Sequence, residues 1–179
     1  SAVVNEKHQT RTQAPGRLLD LAGLAAVLAP RGYASKEVLA TYQKMYEAQV
    51  VSYPRTEDKT VTPEQFNELL PLVDRIADLV GVDKSLLTHR QPRPTHVKAQ
   101  GAHGANRPGT NVPADVQSLK KYGDSAMAIY EVLAKNYLAM LAEDYVYDHV
   151  TAELQDYPNF KTAFNLPIKL NFKLVYDSY

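Results

Sequence analysis

The hydrophobic residues of this chain change their spacing near residue 143. Before this point, apolar side chains recur every three or four residues over long segments, which is the period of a helix with one buried face. After it, apolar and polar residues alternate over residues 150–154 and 168–174, which is the period of a strand with one solvent-exposed face. The change predicts an α+β fold, in which a mainly helical body is followed by strands.

Three of the four predicted helices follow from apolar spacing and a boundary residue. Leucines at helical spacing predict the first helix over residues 17–28. Ser35 is the predicted N-cap of the second, which spans SKEVLATYQKMYEA. The last helix is predicted to run from a cap at Asp124 or Ser125 to about residue 142, with its apolar residues facing inward. These segments can bury a sizeable core.

The remaining helix, third along the chain, has the clearest boundaries. Thr62 at the N-cap, Pro63 in the first turn and Gln65 three residues after the cap form the pattern of a capping box. Gly81 ends the helical pattern, and Pro71 lies inside it. Because proline has no N–H and its ring collides with the preceding turn, we expect Pro71 to kink the helix or to divide it in two.

The two ends of the chain are predicted to belong to one further domain. Residues 1–16 are polar and turn-rich after a short strand-like start at Val3 and Val4, and residues 143–179 contain the alternating segments. Neither end has enough strands for a stable sheet. We therefore predict that a helical domain of residues 17–142 interrupts a strand-rich domain formed by residues 1–16 and 143–179.

Composition excludes several classes of chemistry. The 20 basic and 20 acidic residues balance, so the overall charge indicates no nucleic-acid or membrane partner. The absence of cysteine excludes disulfides and thiolate catalysis and favours a reducing, cytoplasmic location. The longest apolar run, residues 18–29, is too short to span a bilayer, so we expect a soluble protein. Because the first methionine is Met45, we expect a piece of a longer protein.

Positive charge is concentrated in one segment. Residues 89–114 contain four prolines and three glycines and are predicted to form a long ordered loop. Between Lys84 and Ala114 there is no acidic residue, whereas five lysines and arginines and three of the five histidines lie there. Such a patch is the expected footprint for a polyanionic backbone, although a solvated basic loop without function has the same composition.

The sequence Tyr53-Pro54-Arg55 lies in the short connection between the second and third helices. A tyrosine has a pKa of about 10, so a catalytic phenol needs nearby positive charge to stabilise its ionised form and a phosphoryl transition state. Pro54 favours an extended backbone, which would place Tyr53 and Arg55 on the same side, where both could meet one phosphate. A packing role is the alternative, as for most of the 12 tyrosines.

Two motifs resemble those of a known family. SYPRTE at residues 52–57 resembles the SYPRTD active-site motif of type IA DNA topoisomerases, and AHGANRPG at residues 102–109 resembles their AHEAIRPT. The flanking leucine-rich helix and the helix that ends in Tyr-Glu are also similar to the family's pattern. The resemblance runs from about residue 15 to residue 141, and two motifs in the right order are far more specific than either alone.

The resemblance implies an activity and a fold. Tyr53 would attack a single-strand phosphodiester, forming a 5′-phosphotyrosyl link and releasing a 3′-hydroxyl. Arg55 would hold the scissile phosphate, His103 would orient it, and Arg107 would bind nearby backbone phosphate. The family's tyrosine-bearing helical domain resembles a winged-helix, or CAP-like, fold and is mounted on a β-rich arch. With Arg107, the loop residues Lys98 and Arg93 are the predicted DNA contacts.

The chain also departs from the family's pattern. The glutamate and isoleucine of the second motif are replaced by Gly104 and Asn106, and Asp58 stands where the family often has serine. Members of the family bind Mg²⁺ through an Asp-x-Asp cluster and a glutamate in a Toprim domain, and no Asp-x-Asp occurs here. We therefore predict no metal or cofactor in this segment, Mg²⁺ in the intact enzyme, and no DNA relaxation by this chain alone.

Two other classes of tyrosine enzyme fit the sequence less well. Replication-type relaxases use a His-x-His metal site, which the chain lacks, and tyrosine recombinases place their tyrosine late in the sequence, so both fit worse. A non-catalytic module that binds single-stranded nucleic acid, with Tyr53 stacked on a base, is the remaining alternative. The partners expected in either case are single-stranded DNA and the other domains of the same polypeptide. A relaxing and a decatenating enzyme are both compatible with the sequence.

Overall fold

The computed structural model describes residues 2–176 and has an α+β fold, as predicted. None of the described helices is long and apolar enough to cross a membrane. Short 3₁₀ turns connect several elements. The strands and α-helices of the described residues are, in chain order, β1 (Val4–Gln13), α1 (Leu21–Leu28), α2 (Ser35–Glu47), α3 (Pro63–Leu69), α4 (Val73–Val80), α5 (Ala126–Ala139), β2 (Tyr145–Leu154), β3 (Tyr157–Lys169) and α6 (Lys173–Tyr176).

Helix α5 is the centre of the helical body. It contacts α1, α2, α4 and α6, and its buried residues include Ile129 and Leu138 on opposite faces. A helix that is apolar on nearly all sides is stable only when other elements surround it. The leucines of α1 and the apolar residues of α2 and α4 supply this surrounding layer, so the helical spacing in the sequence is the spacing of one shared core.

The boundaries predicted for the third helix are confirmed. The Thr62 N–H donates to Gln65 Oε1 at 2.9 Å, and the Gln65 N–H donates to Thr62 Oγ1 at 3.2 Å, which is the reciprocal capping box. Pro71 lies in a 3₁₀ turn that divides the segment into α3 and α4. Gly81 ends α4 with a left-handed φ of 75°. Local backbone chemistry decides all three features, and therefore sequence alone predicted them.

Helix α1 begins four residues later than predicted. Asp20 accepts a hydrogen bond from the Gly23 N–H at 2.7 Å and caps the helix. Before the cap, Leu19 forms a β-bridge with Asn106 instead of a helical turn. Leu18 is nevertheless buried in the core. Because Leu18 packs in the same core as the helix, it continues the helical spacing of apolar residues, although it lies before the first turn of α1.

The two predicted serine caps differ from the structure. Ser35 is the first residue of α2 rather than its cap, and Ala34 at the cap position makes no side-chain hydrogen bond, so this prediction is wrong. Ser125 does occupy the N-cap of α5, but its side chain makes no capping bond. Its buried hydroxyl donates to Glu37 Oε1 at 3.0 Å. A tertiary contact with α2 therefore takes the place of a local one.

The three strands form one antiparallel sheet in the order β1-β2-β3. β1 pairs with β2 without a register break, from Val4 opposite Leu154 to Gln13 opposite Tyr145. The segment predicted to alternate at residues 150–154 lies in β2. Most of β1 was predicted to be a connection, and its full exposure explains why no apolar alternation marks it. The assignment of the strands and the helices to two separate domains stays a prediction.

The strand predicted at residues 168–174 is wrong beyond its first two residues. β3 ends at Lys169, and Asn171 then adopts a left-handed φ of 49° while its side-chain amide donates to Asp144 O at 2.7 Å. The chain turns there and enters α6, which places Phe172 and Val175 in the core. The alternation therefore ran across the end of a strand, a turn and the start of a short helix, whose buried residue is Val175.

Residues 89–114 form an ordered loop without helix or strand, as predicted. Isolated β-bridges join it to the rest of the fold, including those of Val97 with Val61 and Asn106 with Leu19. Arg93 provides a further attachment, because its buried guanidinium donates to Met140 O at 2.9 Å and Ala142 O at 2.6 Å. These carbonyls lie just after α5, where a helix end attracts positive charge.

Lowering the pH is expected to destabilise this fold through His96. Burial lowers the pKa of its imidazole below 6.5, and the charges of Arg93 and Arg17 lower it further. The neutral ring donates from Nε2 to Gly16 O at 2.8 Å and accepts at Nδ1 from Thr95 Oγ1 at 2.7 Å. Because the unfolded chain takes up this proton at a higher pH than the folded chain, the free energy of unfolding should fall as the pH drops through 6.5.

Urea unfolding of the chain between about pH 7.5 and pH 5.5 checks this expectation. His96→Gln should flatten the dependence. His8→Gln is the control, because the hydrogen bonds that His8 donates to Asp148 and Glu6 raise its pKa, so its contribution to stability is present below pH 6.5 and lost as the pH rises. Removing His8 should therefore steepen the loss on acidification. A slope that His96→Gln leaves unchanged would contradict the assignment.

Candidate active site

Tyr53 lies on the surface because its neighbours anchor the segment. After α2, Gln49 reverses the chain with a left-handed φ of 62°. Val50 and Val51 then enter the core, each only 2% exposed, whereas Tyr53 is 37% exposed. A packing role was the alternative for Tyr53. In the structure the two valines pack in the core instead, and the phenol of Tyr53 is open to solvent.

Main-chain pairing brings the two motifs together. We call residues 50–56 the tyrosine segment and residues 102–109 the histidine segment. The Gly109 N–H donates to Val50 O at 2.8 Å, and the Ser52 N–H donates to Arg107 O at 3.0 Å. The Arg107 N–H in turn donates to Ser52 Oγ at 3.0 Å. The pairing fixes the histidine segment beside Tyr53, although the two are about fifty residues apart in sequence.

The Tyr53 ring is held between two other rings. The centroids of Tyr53 and His103 are 4.6 Å apart with an interplanar angle of 34°, and Tyr46 meets Tyr53 edge-on at 5.5 Å. These three rings and Arg107 line a depression that we call the Tyr53 depression. No group of residues 2–176 hydrogen-bonds to the Tyr53 hydroxyl. The ring is positioned while its oxygen stays free to react.

Arg107 places a positive charge beside these rings. Its partly buried guanidinium donates to Ala105 O at 2.9 Å and to His103 O at 3.4 Å, and no carboxylate of residues 2–176 forms an ion pair with it. Burial lowers the pKa of Arg107, which Glu68 and two buried tyrosines partly oppose. Since an arginine stays protonated at neutral pH, this charge is available to an anion that enters the depression.

Arg55 lines a second depression, together with Asp20, Asp58 and His103, which we call the Arg55 depression. Its exposed side chain makes no hydrogen bond or ion pair within the described part of the chain. The sequence predicted that Tyr53 and Arg55 would point to the same side. They line neighbouring depressions that share His103, and no hydrogen bond joins their side chains.

The turn that carries His103 is held by a carboxylate. Asp58 Oδ2 accepts hydrogen bonds from the N–H groups of His103 at 3.0 Å and Gly104 at 2.8 Å, and these bonds lower the pKa of Asp58. On the other side, Gln65 Nε2 donates to His103 O at 3.2 Å. Asp58 and Gln65 therefore hold the main chain of this turn from two sides, and this main chain sets the position of the His103 imidazole.

The two remaining predicted DNA contacts differ in position. Lys98 is exposed, and its side chain has no partner within residues 2–176, so it is available to a ligand. Arg93 is only 7% exposed, and besides two carbonyls its guanidinium contacts Asp144 Oδ1 at 2.8 Å. A guanidinium used in this way argues against a DNA contact by Arg93. Charge counting in the sequence could not separate a buried arginine from an exposed one.

The sequence assigns no role to Asp58 or Asn106, although the structure places both against the site. Asp58 holds the His103 turn, and Asn106 is buried behind the tyrosine segment. The one feature of the sequence that could have indicated a role is that both residues differ from those of the family's motifs. Within residues 2–176, no group of three or more histidine, aspartate or glutamate side chains lies close enough together to hold a metal ion.

The chain is similar in sequence to known proteins. The model of a family described as DNA topoisomerase matches residues 1–179. DNA topoisomerase 3 of Staphylococcus epidermidis is 26% identical over 155 residues, which cover 79% of this chain and 20% of that protein. DNA topoisomerase 1 of Rickettsia conorii is 30% identical over 133 residues, which cover 69% of this chain and 16% of that protein. The chain thus spans about a fifth of these relatives or less.

A solved structure shares the fold. Full-length topoisomerase I from Thermotoga maritima, in a monoclinic crystal form, matches with a TM-score of 0.66 at 20% sequence identity. The match covers 99% of this chain and 30% of that one. At this identity the likeness concerns the fold alone. The helices and the three-stranded sheet described above therefore occur together as part of a larger molecule in that protein.

Replacing Gly104 by alanine should destabilise the chain. Gly104 has a left-handed φ of 76°, and an added Cβ would collide with Gln65 Oε1 and Arg107 Nη1. A non-glycine residue in this backbone region costs about 1 kcal/mol or more. The collision adds to that, because Gln65 Oε1 can move away only by weakening its hydrogen bond with the Thr62 N–H in the capping box. We expect the free energy of unfolding, measured by urea denaturation, to fall by about 2 kcal/mol or more.

Substitutions at two other glycines separate the effect of backbone strain from the effect of the collision. Gly32 has a φ of 92° but no atom within 4 Å of its added Cβ, so Gly32→Ala tests the backbone strain alone. Gly16 also has no atom within 4 Å and is not in the left-handed region, so Gly16→Ala should have the smallest effect. Equal losses for Gly104→Ala and Gly32→Ala would show that the site is not crowded at residue 104.

Proposed function

Since this chain belongs to the type IA DNA topoisomerase family, we propose that it carries the DNA-cleaving tyrosine of such an enzyme and that Tyr53 is this residue. The supporting observation is the Tyr53 depression, where an exposed phenol with a free hydroxyl contacts His103 and lies in one depression with Arg107, which has no carboxylate partner within residues 2–176. The proposed substrate is single-stranded DNA, because a depression open to solvent suits a flexible strand that can bring one phosphate to the phenol.

The proposed reaction is a transesterification. The Tyr53 oxygen attacks the phosphorus of a phosphodiester, forming a bond to the 5′-phosphate while the bond to the 3′-oxygen breaks. The phenol proton leaves to solvent, and the 3′-oxygen takes up a proton to become a hydroxyl. Because one phosphate ester replaces another, attack by the 3′-hydroxyl can later restore the strand without an external source of energy.

The charged residues have separate proposed roles. Arg107 binds a phosphate in the Tyr53 depression, where its partial burial strengthens the interaction. His103 lines both depressions and donates a hydrogen bond to the scissile phosphate. Arg55 and Lys98, both exposed and without partners in the described residues, bind further phosphates of the strand. Positive charge that is already in place stabilises the charge developing on the phosphoryl group.

The complete reaction cycle needs parts of the protein outside this chain. The described residues do not fit a Mg²⁺ site, because they contain no suitable acidic cluster, so we assign no step here to the metal and propose that Mg²⁺ binds elsewhere in the intact polypeptide. Without it, the isolated chain should not relax DNA. The absence of cysteine is compatible with a cytoplasmic location for the enzyme.

The sheet offers a surface for those other parts. β3 is exposed along its whole length, and its exposed apolar residues include Phe160, Phe164, Leu166 and Ile168. Exposed apolar surface of this kind usually marks a contact with another protein surface. We propose that the remaining domains of the same polypeptide cover it, which agrees with the small fraction of its relatives that the chain spans.

A non-catalytic single-strand-binding module is the second candidate. The exposed face of the Tyr53 ring, backed by His103, would serve as a platform on which a base stacks. In this case the phenolic oxygen has no chemical role. The two candidates therefore make opposite predictions for removal of that single oxygen atom.

Tyr53→Phe should abolish covalent DNA linkage. The experiment joins the chain to its natural N-terminal partner and detects protein-linked DNA on a denaturing gel. The wild type should form an adduct, and Tyr53→Phe should form none while it binds single-stranded DNA almost as well, because the aromatic ring remains. Tyr46→Phe, which removes the hydroxyl of the adjacent exposed ring, is the matched control and should retain the adduct.

The outcomes separate the two candidates. An adduct in the wild type and in Tyr46→Phe, but not in Tyr53→Phe, supports the cleaving enzyme. If the wild type binds DNA without any adduct, the stacking module is the better description. An adduct that persists in Tyr53→Phe would show that another residue is the nucleophile.

Salt should weaken DNA binding by the isolated chain, and Arg107→Ala should reduce that dependence. Each phosphate contact on a single strand contributes about 0.7 to the slope of log K against log salt, so the loss of one contact should lower the slope by about this amount. Arg107→Lys should keep most of the slope. The measurement is fluorescence anisotropy with a labelled oligonucleotide at several salt concentrations.

Arg90→Ala is the control for this experiment. Arg90 lies in the same loop, but its guanidinium already forms an ion pair with Asp74 at 2.7 Å. Its removal should leave the slope unchanged. Binding that does not depend on salt, or equal slopes for Arg107→Ala and the wild type, would contradict a phosphate contact by Arg107.

A further inference from the structure

Asn106 is a buried polar residue behind the tyrosine segment. The residue is 1% exposed, and its main-chain N–H donates to Leu19 O at 2.8 Å. The β-bridge between these two residues holds it in place. A buried polar side chain is stable only where its polar atoms find partners, so the partners of this amide indicate what it does.

The amide nitrogen of Asn106 faces the main chain of Tyr53. Nδ2 lies within hydrogen-bond distance of Tyr53 O at 3.2 Å, Pro54 O at 3.1 Å and Tyr42 Oη at 2.8 Å, and because it carries two hydrogens, at least one of them is shared between two acceptors. Carbonyl oxygens can only accept hydrogen bonds, so the nitrogen rather than the oxygen must point towards them. Tyr53 O has no other donor within residues 2–176. The amide therefore fixes the peptide units that follow Tyr53.

The oxygen of the Asn106 amide, in contrast to the nitrogen, is unpaired among residues 2–176. Asn106 Oδ1 is buried and has no hydrogen-bond partner within the described residues. An apolar side chain of similar volume, such as leucine, would avoid this unpaired atom but would leave Tyr53 O without a donor. The asparagine thus leaves one oxygen of its own unpaired in the described part of the chain and supplies a donor to the main chain of the tyrosine segment.

The amide also connects the site to α2. Tyr42 is fully buried, and its hydroxyl accepts from Asn106 and lies 3.4 Å from Ser52 Oγ. Ser52 Oγ in turn accepts the N–H of Arg107. One network thus joins α2, the residues on both sides of Tyr53, and the main chain of Arg107. Its centre is the amide of Asn106.

We propose that Asn106 is a positioning residue for the cleavage reaction. Its amide holds the main chain after Tyr53, so that the phenol stays in the Tyr53 depression, next to Arg107. The proposal rests on the proposed function, because it assigns a task in the reaction of Tyr53. Asn106 touches neither the substrate nor the reacting atoms, and it acts only through the backbone of the tyrosine.

The test compares Asn106→Leu with Asn136→Leu in the intact enzyme. Asn136 is a matched control: it is 7% exposed, its Oδ1 is buried without a partner within the described residues, and its Nδ2 donates to Arg17 O at 3.2 Å. Three quantities are measured for each variant: the rate of adduct formation with saturating single-stranded oligonucleotide, the Kd for that oligonucleotide, and the midpoint of urea unfolding.

Asn106→Leu should lower the rate of adduct formation about 10- to 100-fold, since small displacements of a reacting group have effects of this size. The Kd should change less than about twofold, because the DNA-binding side chains are untouched. Asn136→Leu should shift the unfolding midpoint similarly and leave the rate unchanged. Tyr42→Phe, which removes one acceptor but keeps both carbonyl contacts, should retain a nearly normal rate.

Each other outcome overturns the proposal. If the wild type forms the adduct and Asn106→Leu forms it equally fast, Asn106 does not position Tyr53, although the proposed function stands. Asn106→Ala is the second variant in case leucine does not fit, and failure of both to fold would show a purely structural role. If the wild type forms no adduct, or Tyr53→Phe does, the proposed function itself fails, and the two failures are thereby distinguished.

Discussion

Two main-chain hydrogen bonds, between Val50 and Gly109 and between Ser52 and Arg107, hold the site together. These bonds join two segments that are distant in sequence. They therefore fix how far Tyr53 lies from the histidine segment. Val51 bridges Pro108 within the same pairing, with the valine buried in the core. Because the pairing is anchored by burial on one side, the side chains on its other side are free for chemistry.

Features of the fold that depend on neighbouring residues could be predicted from the sequence. The capping box at Thr62, the division at Pro71 and the left-handed Gly81 are all decided by local backbone chemistry. Features that depend on distant partners could not. Ser125 uses its hydroxyl on another helix, and β1 carries no apolar pattern because all of it is exposed.

The same distinction applies to the site. Tyr53, His103 and Arg107 were predicted from motifs, and the structure brings all three into one depression. Asp58 and Asn106 could not be found by spacing, because each acts on main-chain groups about fifty residues away in sequence. Motif reasoning identifies side chains that meet a substrate. It does not identify side chains that hold the backbone of those residues.

The register of β1 and β2 has a consequence for the topology of the chain. Gln13 and Tyr145 are direct partners at the end of the sheet nearest the helices, so the polypeptide leaves and re-enters the sheet at adjacent points. In an antiparallel pair, such partners have Cα atoms about 5 Å apart. A loop of a few residues would therefore be long enough to join residue 144 back to residue 14, closing the intervening chain into a ring without stretching it.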